Sequence, residues 1–247
     1  MPEKIALLAS DGASFDVQVA RPEGDPIGGL VLIHEIWGLT DHIVDVAERF
    51  AVQGYLVAAP DVLSHGGVGP ALGTELFDLM SDPDEEVRVA AQPRMRDALT
   101  AVRSPEYADW VVGALRSTVD WLADQTGVDG RIGVVGFCFG GTYSFLLAAS
   151  DERVRAAVPF YGSAPPADRM AAIHAPVLAL YGQHDPGLIE PLPQVREDMT
   201  AAGVDFETVV YPDAGHAFFN DAGRRYRAGD AADAWQRTLS FLRDALA

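Results

Sequence analysis

The segment Gly136-Phe137-Cys138-Phe139-Gly140-Gly141 joins an apolar run at 131–135 to a helical pattern at 139–149. The apolar run is typical of a strand that is buried on both faces of a parallel sheet. The segment fits the pattern Gly-x-nucleophile-x-Gly of a strand–turn–helix elbow, with cysteine in place of serine. Small flanking residues permit the strained backbone that such a turn needs. We therefore predict that Cys138 stands at a helix N-terminus, where the helix dipole favours a thiolate.

Strand and helix patterns alternate on both sides of this segment, which predicts an α/β fold. Its central sheet would be mostly parallel, with helices on both faces. No linker, repeat or low-complexity tract interrupts residues 1–247, so we predict a single domain. Strands are predicted at 5–9, 15–21, 30–33, 55–59, 131–135, 154–160, 176–181 and 206–211. Helices are predicted at 41–53 (with Thr40 as the cap), 139–149, 190–202, 224–247 and over most of 83–125, with a break near Ser104-Pro105. The glycine-rich stretch 63–81 is predicted to be irregular.

The charge of the chain excludes several classes of partner. Its 247 residues include 36 acidic and 18 basic side chains, for a formal net charge of −18 at pH 7. Such a surface repels phosphate groups, so we expect no nucleic-acid partner and no binding to anionic membranes. No apolar run is long enough to span a bilayer, and the first ten residues lack the apolar core of a secretory signal. These features predict a cytoplasmic protein.

Two further side chains are placed to act with Cys138. Asp185 follows the predicted strand 176–181, and His216 follows the strand 206–211. The carboxyl ends of parallel strands meet at one edge of the sheet, so both side chains are expected beside Cys138. Their neighbours His184 and Asp213 are weaker candidates, because Gly-x-x-Asp after a strand and Gly-His in a last loop are the usual placements. The remaining histidines, at positions 34, 42, 65 and 174, are expected to be structural or at the surface.

These motifs, taken together, resemble the dienelactone hydrolase family of α/β-hydrolases. The order nucleophile, acid, histidine is the order of that fold. The resemblance implies that Cys138 is the nucleophile, that His216 is its base and later the acid, and that Asp185 orients His216. The matching pieces run in family order over nearly the whole chain: 34–39 (His-Glu-Ile-Trp-Gly-Leu), 59–61 (Ala-Pro-Asp), 136–141, 160–162 (Phe-Tyr-Gly), Gly182 with Asp185, and 215–218 (Gly-His-Ala-Phe).

The same resemblance implies a reaction and further roles. Amides of Ile36 and Phe139 would form an oxyanion hole. Glu35 would contact the resting thiol, and substrate binding would move it away. The reaction would be hydrolysis of an ester or enol-lactone through a thioester acyl-enzyme. It needs no cofactor and no metal, and a single cysteine excludes a multi-cysteine metal site and an internal disulfide.

The sequence departs from the family at the substrate-binding residues. Family members that bind a carboxylated lactone carry an arginine four residues after the catalytic histidine, where this chain has Asn220. Counting back from Cys138 without gaps places Arg96, with Arg94 close by, at the family's other substrate arginine. The predicted substrate contacts are Arg96, Trp37, Tyr161 and Asn220. With half of the anion clamp missing, we expect neutral esters to be turned over at least as well as carboxylated ones.

Two alternative functions remain open on the sequence. A lone cysteine beside a histidine could reduce peroxides, although no second cysteine is present to resolve the oxidised thiol. A small-molecule binder on the same scaffold is the other alternative, and an intact triad counts against it. The expected partner is a small ester or lactone, and the expected assembly is a monomer or a small homo-oligomer.

Overall fold

A computed structural model describes residues 3–247. It contains one eight-stranded sheet with the order β1-β2-β4-β3-β5-β6-β7-β8. β1 pairs antiparallel with β2, and β2 pairs antiparallel with β4, whereas all the other pairs are parallel. The predicted fold class, α/β with a mostly parallel sheet, is thus confirmed. The strands are β1 (Glu3–Leu8), β2 (Ser14–Ala20), β3 (Gly28–Ile33), β4 (Tyr55–Pro60), β5 (Ile132–Phe137), β6 (Val154–Phe160), β7 (Val177–Gly182) and β8 (Phe206–Tyr211).

Helices cover both faces of the sheet, because successive side chains of its central strands point in opposite directions. In β3, Leu30 and Leu32 pack against the helices at 41–52 and 228–245. Val31 and Ile33 lie on the opposite face, which the helices at 105–123, 139–148 and 192–201 cover. This explains why β3 is apolar throughout. The helices within residues 3–247 are α1 (Asp41–Val52), α2 (Pro70–Ser81), α3 (Glu85–Ala98), α4 (Pro105–Ala123), α5 (Phe139–Ala148), α6 (Ala167–Met170), α7 (Pro186–Ile189), α8 (Leu192–Ala201) and α9 (Ala228–Ala245).

The prediction of an irregular stretch at 63–81 is wrong, because α2 occupies most of it. Pro70 is the first residue of this helix, where a missing amide hydrogen costs nothing. Gly73 lies against the loop after β3, and a Cβ there would come within 2.0 Å of the carbonyl oxygen of Trp37. The glycine therefore serves a close helix–loop contact. We call residues 64–103, which contain α2 and α3, the cap.

The predicted break near Ser104-Pro105 is confirmed, the predicted start of the last helix is wrong, and the predicted cap of the first helix is right in position only. The helical stretch 83–125 divides into α3 and α4 around a short 3-10 turn at 101–103, and Ser104 caps α4 by accepting a bond from the amide of Tyr107 at 3.1 Å. The last helix begins at Ala228 and not at 224, because residues 221–227 form a loop. Thr40 occupies the cap position of α1, but its side chain makes no capping hydrogen bond.

The parallel strands bring five loops to one edge of the sheet. Six strands, β3 to β8, run in the same direction, so the residues directly after each of them lie at the carboxyl end, which is where open α/β sheets carry their sites, and five of these loops are the ones after β3, β5, β6, β7 and β8. Across the described chain, no helix is both long and apolar enough to cross a membrane.

Candidate active site

Cys138 lies between β5 and α5 with a strained backbone, at φ 56° and ψ −110°. A side chain at this φ is disfavoured, and such strain costs about 1–3 kcal/mol. At two positions of this turn the backbone segments lie so close together that only glycine fits. A Cβ on Gly136 would lie 2.1 Å from the carbonyl oxygen of Gly140, and a Cβ on Gly140 would lie 2.2 Å from that of Ile33. The predicted elbow is therefore present, with the sulfur partly exposed at the edge of the sheet.

His216 and Asp185 form a hydrogen-bonded chain with Cys138. The Nε2 atom of His216 lies 3.0 Å from the Cys138 sulfur, and its Nδ1 atom lies 2.5 Å from Oδ2 of Asp185. The weaker candidates do not join this chain of hydrogen bonds, since His184 is exposed and Asp213 pairs with Arg227 at 3.6 Å. The structure thus brings together the three residues that the sequence predicted.

The two partners of His216 determine its charge. Burial lowers the pKa of His216, but the hydrogen bonds to Asp185 and Cys138 outweigh burial and raise that pKa to about 10. The raised pKa favours the imidazolium form of His216 beside the sulfur.

Glu35, directly after β3, is 2% exposed and bonded on both oxygens. Its Oε2 accepts from Nδ2 of Asn220 at 2.5 Å, and its Oε1 accepts from the hydroxyl of Tyr161 at 3.3 Å. The predicted contact between Glu35 and the resting thiol does not occur in this arrangement, because the sulfur bonds to His216. Burial raises the pKa of the Glu35 carboxyl, and His42, Asn220, His216 and Tyr161 each act in the opposite direction.

His34 fixes the loop that carries Glu35 and Ile36. Its Nε2 accepts from the amide of Val62 at 3.3 Å, so Nδ1 holds the proton and donates to the carbonyl of Glu35 at 2.7 Å. Burial lowers the pKa of His34, which keeps the ring neutral. Its structural role is the one that the sequence predicted. Ile36 and Phe139 both line the cavity beside Cys138, and Phe139 is the first residue of α5, so its amide has no partner within the helix.

A cavity of about 880 Å³ opens over Cys138 and His216, between the sheet edge and the cap. Among the predicted substrate contacts, Trp37 and Asn220 line it, whereas Tyr161 lies beneath it and contacts Glu35. Arg96 is exposed on α3 and is not among the residues that line the cavity. Arg94 is also exposed and pairs with Glu75.

Four other arginines line the cavity, and the sequence analysis missed them. They lie at positions 88, 103, 224 and 225. Arg88 and Arg103 fall in the helical segment that the family resemblance indicated, but the ungapped count selected Arg96, which does not line the cavity. Arg224 and Arg225 lie in a loop, and no spacing in the sequence points from that loop to the cavity.

Comparison with known proteins identifies relatives along the whole chain. The profile of the dienelactone hydrolase family matches residues 15–246. A protein named "putative carboxymethylenebutenolidase" from Saccharolobus solfataricus is 33% identical over 98% of this chain and 98% of its own. A relative of the same name from Escherichia coli K12 is 31% identical over 96% of this chain and 84% of its own. The crystal structure of a "putative dienelactone hydrolase" from Klebsiella pneumoniae is similar at a TM-score of 0.79, with 30% identity over 98% of this chain and 99% of that one. The chain therefore belongs to the dienelactone hydrolase family of hydrolases.

Proposed function

We propose that this hydrolase cleaves a carboxylic ester or an enol-lactone with Cys138 as its nucleophile. The observation that supports this most strongly is the 3.0 Å separation of the Cys138 sulfur from Nε2 of His216. A nucleophile that contacts a base, which is in turn oriented by a third group, is the arrangement of covalent catalysis. Asp185 is that third group, since it holds the other ring nitrogen of His216.

In the first half of the reaction, the thiolate attacks the carbonyl carbon of the substrate. A carbon–sulfur bond forms, and the electron pair of the carbonyl moves to its oxygen, where the amides of Ile36 and Phe139 donate hydrogen bonds. When the carbonyl re-forms, the bond to the leaving oxygen breaks. His216 gives its Nε2 proton to that oxygen, which leaves a thioester on Cys138 and a neutral imidazole.

In the second half, water resolves the thioester. His216 takes a proton from the water while the water oxygen attacks the acyl carbon. The carbon–sulfur bond then breaks, the acid departs, and the sulfur returns as a thiolate facing an imidazolium. Asp185 stays ionised throughout and acts as a positioning residue, because it fixes the orientation and tautomer of the ring.

Glu35 controls the thiol in this proposal. Held by Asn220 and Tyr161, it leaves the sulfur to its contact with His216. Rotated toward the sulfur, its carboxylate would disfavour the thiolate through like-charge repulsion. An enzyme without substrate would then keep a thiol that resists oxidation.

The test is the substitution Cys138→Ala. We expect the turnover of p-nitrophenyl acetate to fall by several orders of magnitude, as is typical when a nucleophile within a triad is removed. Far-UV circular dichroism should stay unchanged. Mass spectrometry of the quenched wild-type enzyme should find the acetyl group on the peptide that contains Cys138.

Two results would contradict this proposal. Turnover by Cys138→Ala above about a tenth of the wild-type rate would mean that another group is the nucleophile. Consumption of hydrogen peroxide by a wild type that leaves esters and lactones intact would favour the thiol-redox alternative.

A further inference from the structure

A second histidine–carboxylate pair lies in the molecule, apart from the triad. His42, in the first turn of α1, has a side chain that is 2% exposed, and its Nδ1 lies 2.8 Å from Oδ1 of Asp221. A carboxylate can only accept, so Nδ1 carries a proton and donates it to this hydrogen bond. The mechanism proposed above uses neither residue of this pair.

The other ring nitrogen of His42 has no partner. Nε2 is buried, and no donor or acceptor within residues 3–247 bonds to it. His34 is the opposite case, because the amide of Val62 donates to its Nε2 and keeps that ring neutral. Since no described amide holds Nε2 of His42 in the unprotonated form, this ring can take a second proton, with Asp221 as its counter-ion.

One short loop connects the second pair to Glu35. Asn220 and Asp221 are consecutive residues of this loop. Asn220 donates to Oε2 of Glu35 at 2.5 Å, and Asp221 accepts from His42. The loop therefore holds a buried carboxylate with one residue and a buried imidazole with the next.

Aromatic rings connect the same two groups. The ring centroid of His42 lies 6.4 Å from that of Phe137, which lies 6.2 Å from that of Tyr161, the second donor to Glu35. Apolar surroundings of this kind screen a charge interaction much less than water does. Burial raises the pKa of the Glu35 carboxyl, and the charge of His42 is the strongest of the effects that lower this pKa.

The other charged groups near the second pair do not replace His42. Arg49, further along α1, lies 4.0 Å from Asp221 and 3.7 Å from Asp45, at partly exposed contacts where solvent screens its charge. His216 is bound through both ring nitrogens to the rest of the triad. Its charge lowers the pKa of Glu35 less than the charge in the second pair does.

We propose that His42, paired with Asp221, is a positioning residue that keeps Glu35 ionised inside the site. The protonated ring supplies the positive charge that a carboxylate without hydration needs. In the proposed function, only ionised Glu35 represses the thiolate, so the second pair determines the pH at which this control begins. The inference thus rests on the proposed function and assigns the regulation of the same site. It gives a role in catalysis to a histidine that the sequence predicted to be structural or at the surface.

The test measures the ionisation of Glu35 directly. The infrared difference spectrum between wild type and Glu35→Gln contains the carbonyl band of the protonated Glu35 side chain, and its loss with rising pH gives a midpoint. His42→Gln is measured in the same way against the double variant Glu35→Gln/His42→Gln. An opposite charge a few ångströms from a carboxyl typically changes its protonation equilibrium by about tenfold or more. We therefore expect His42→Gln to raise the midpoint by about one pH unit or more.

Two further variants separate this effect from a folding defect. Asp221 is half-exposed, so Asp221→Asn removes the counter-ion of His42 with little risk to the fold, and it should also raise the midpoint. Asp45→Asn is the matched control, because both aspartates contact Arg49 but the hydrogen bond to His42 comes from Asp221. Asp45→Asn should leave the midpoint unchanged.

Alkylation of Cys138 by iodoacetamide is the functional readout. Near neutral pH, His42→Gln should be alkylated faster than wild type, because a neutral Glu35 no longer represses the thiolate. In a Glu35→Gln background, His42→Gln should have no further effect, since the group through which His42 acts is already gone. A purely structural role would change the rate in both backgrounds.

An infrared midpoint that stays the same in His42→Gln, or in Asp221→Asn if His42→Gln does not fold, would overturn the inference. An equal change of the alkylation rate with Glu35 and with Gln at position 35 would overturn it as well. Failure of the proposed function is a different result, namely ester cleavage that survives Cys138→Ala.

Discussion

Glu35 has opposite effects on function and on stability. A carboxylate with 2% exposure has lost its hydration, and the two hydrogen bonds from Asn220 and Tyr161 only partly replace it. Its pKa is raised above the ordinary value of 4.5 by burial. The folded state therefore holds this proton more tightly than the unfolded state. The stability that this gives is fully present below about pH 4.5 and is lost as the pH rises through the folded-state pKa.

Glu35→Gln should consequently stabilise the protein at neutral pH. The oxygen of the new amide can accept from Asn220, and its nitrogen can donate to the hydroxyl of Tyr161. A gain on the order of 1 kcal/mol would raise Tm by about 2–4 °C for a domain of this size. Thermal unfolding at neutral pH should show this gain, and it should shrink near pH 4.5, where the wild-type carboxyl is protonated. Glu48→Gln, at an exposed position on α1, is the control and should change Tm little. A lower Tm for Glu35→Gln at neutral pH would contradict this account.

The elbow is an element that tolerates almost no change of volume. The amide of Gly140 donates to the carbonyl of His34 at 3.1 Å, and its Cα faces the backbone of Ile33. The end of β3, the start of α5 and the loop with Glu35 are thereby held together by backbone contact. The positions of Cys138 and Ile36 relative to each other depend on this contact.

Gly140→Ala should therefore lower both stability and activity. The added methyl would push α5 away from β3, and overpacking of this kind typically costs about 1–3 kcal/mol or more. Urea unfolding would measure the first effect and ester hydrolysis the second. Gly229→Ala is the matched control, because a Cβ at this position of α9 meets no atom within 4 Å and alanine is the better helix former. Equal midpoints for the two variants would refute the close-packing argument.

The elements that the sequence predicts well are those with a strong local pattern. Residues 131–149 alone predict the apolar strand β5, the helix α5 and the glycine-containing turn between them. The helix α2 was missed because Gly69, Pro70 and Gly73 are typical of a loop. In the structure, Gly69 and Pro70 start the helix, and Gly73 lets it pack closely against the backbone of Trp37. Local composition does not report such a tertiary contact.

The same distinction applies to the site. Asp185 and His216 were predictable because each directly follows a strand, and the topology of a parallel sheet brings strand ends together. The cavity arginines were not predictable from the sequence. A long side chain on a cap helix reaches the cavity only if its own face of the helix turns toward the sheet, and the sequence does not specify that orientation. The hydrogen bond between Asn220 and Glu35 joins positions 185 residues apart, and no local sequence pattern predicts it.

The net charge of the whole molecule acts on substrates before they arrive. With 36 acidic and 18 basic side chains, the long-range field around the protein is negative. The four arginines that line the cavity act only at short range, inside it. The Debye length falls from about 30 Å at 0.01 M salt to about 8 Å at 0.15 M. Salt therefore screens the negative field outside the protein more strongly than it screens a charge–charge contact inside the cavity.

Salt should therefore accelerate the capture of an anionic ester. We expect kcat/KM for the mono-p-nitrophenyl ester of suberic acid, which carries a free carboxylate, to rise between about 10 and 150 mM sodium chloride, while kcat/KM for the methyl ester of the same compound stays nearly constant. Steady-state kinetics at fixed pH would measure both. A fall in kcat/KM for the anionic ester over this range would mean that the field of the arginines extends beyond the cavity and outweighs the rest of the surface.

The direct pairing of β3 with β5 has a consequence for how freely the cavity can vary. Gly29 pairs with Ile132 and Ile33 with Gly136, so residues 34–131 lie between two neighbouring strands, and within them the cap is a loop that leaves the sheet after β4 and returns to it through α4. In an unfolded chain, the entropy lost on closing such a loop grows only with the logarithm of its length, by about 0.6 kcal/mol for each doubling. Insertions or deletions of a few residues in the cap would thus alter this entropy by a small fraction of that amount. The length of the cap can therefore vary at little cost in loop entropy, so that the size of the cavity can change while the central sheet keeps its topology.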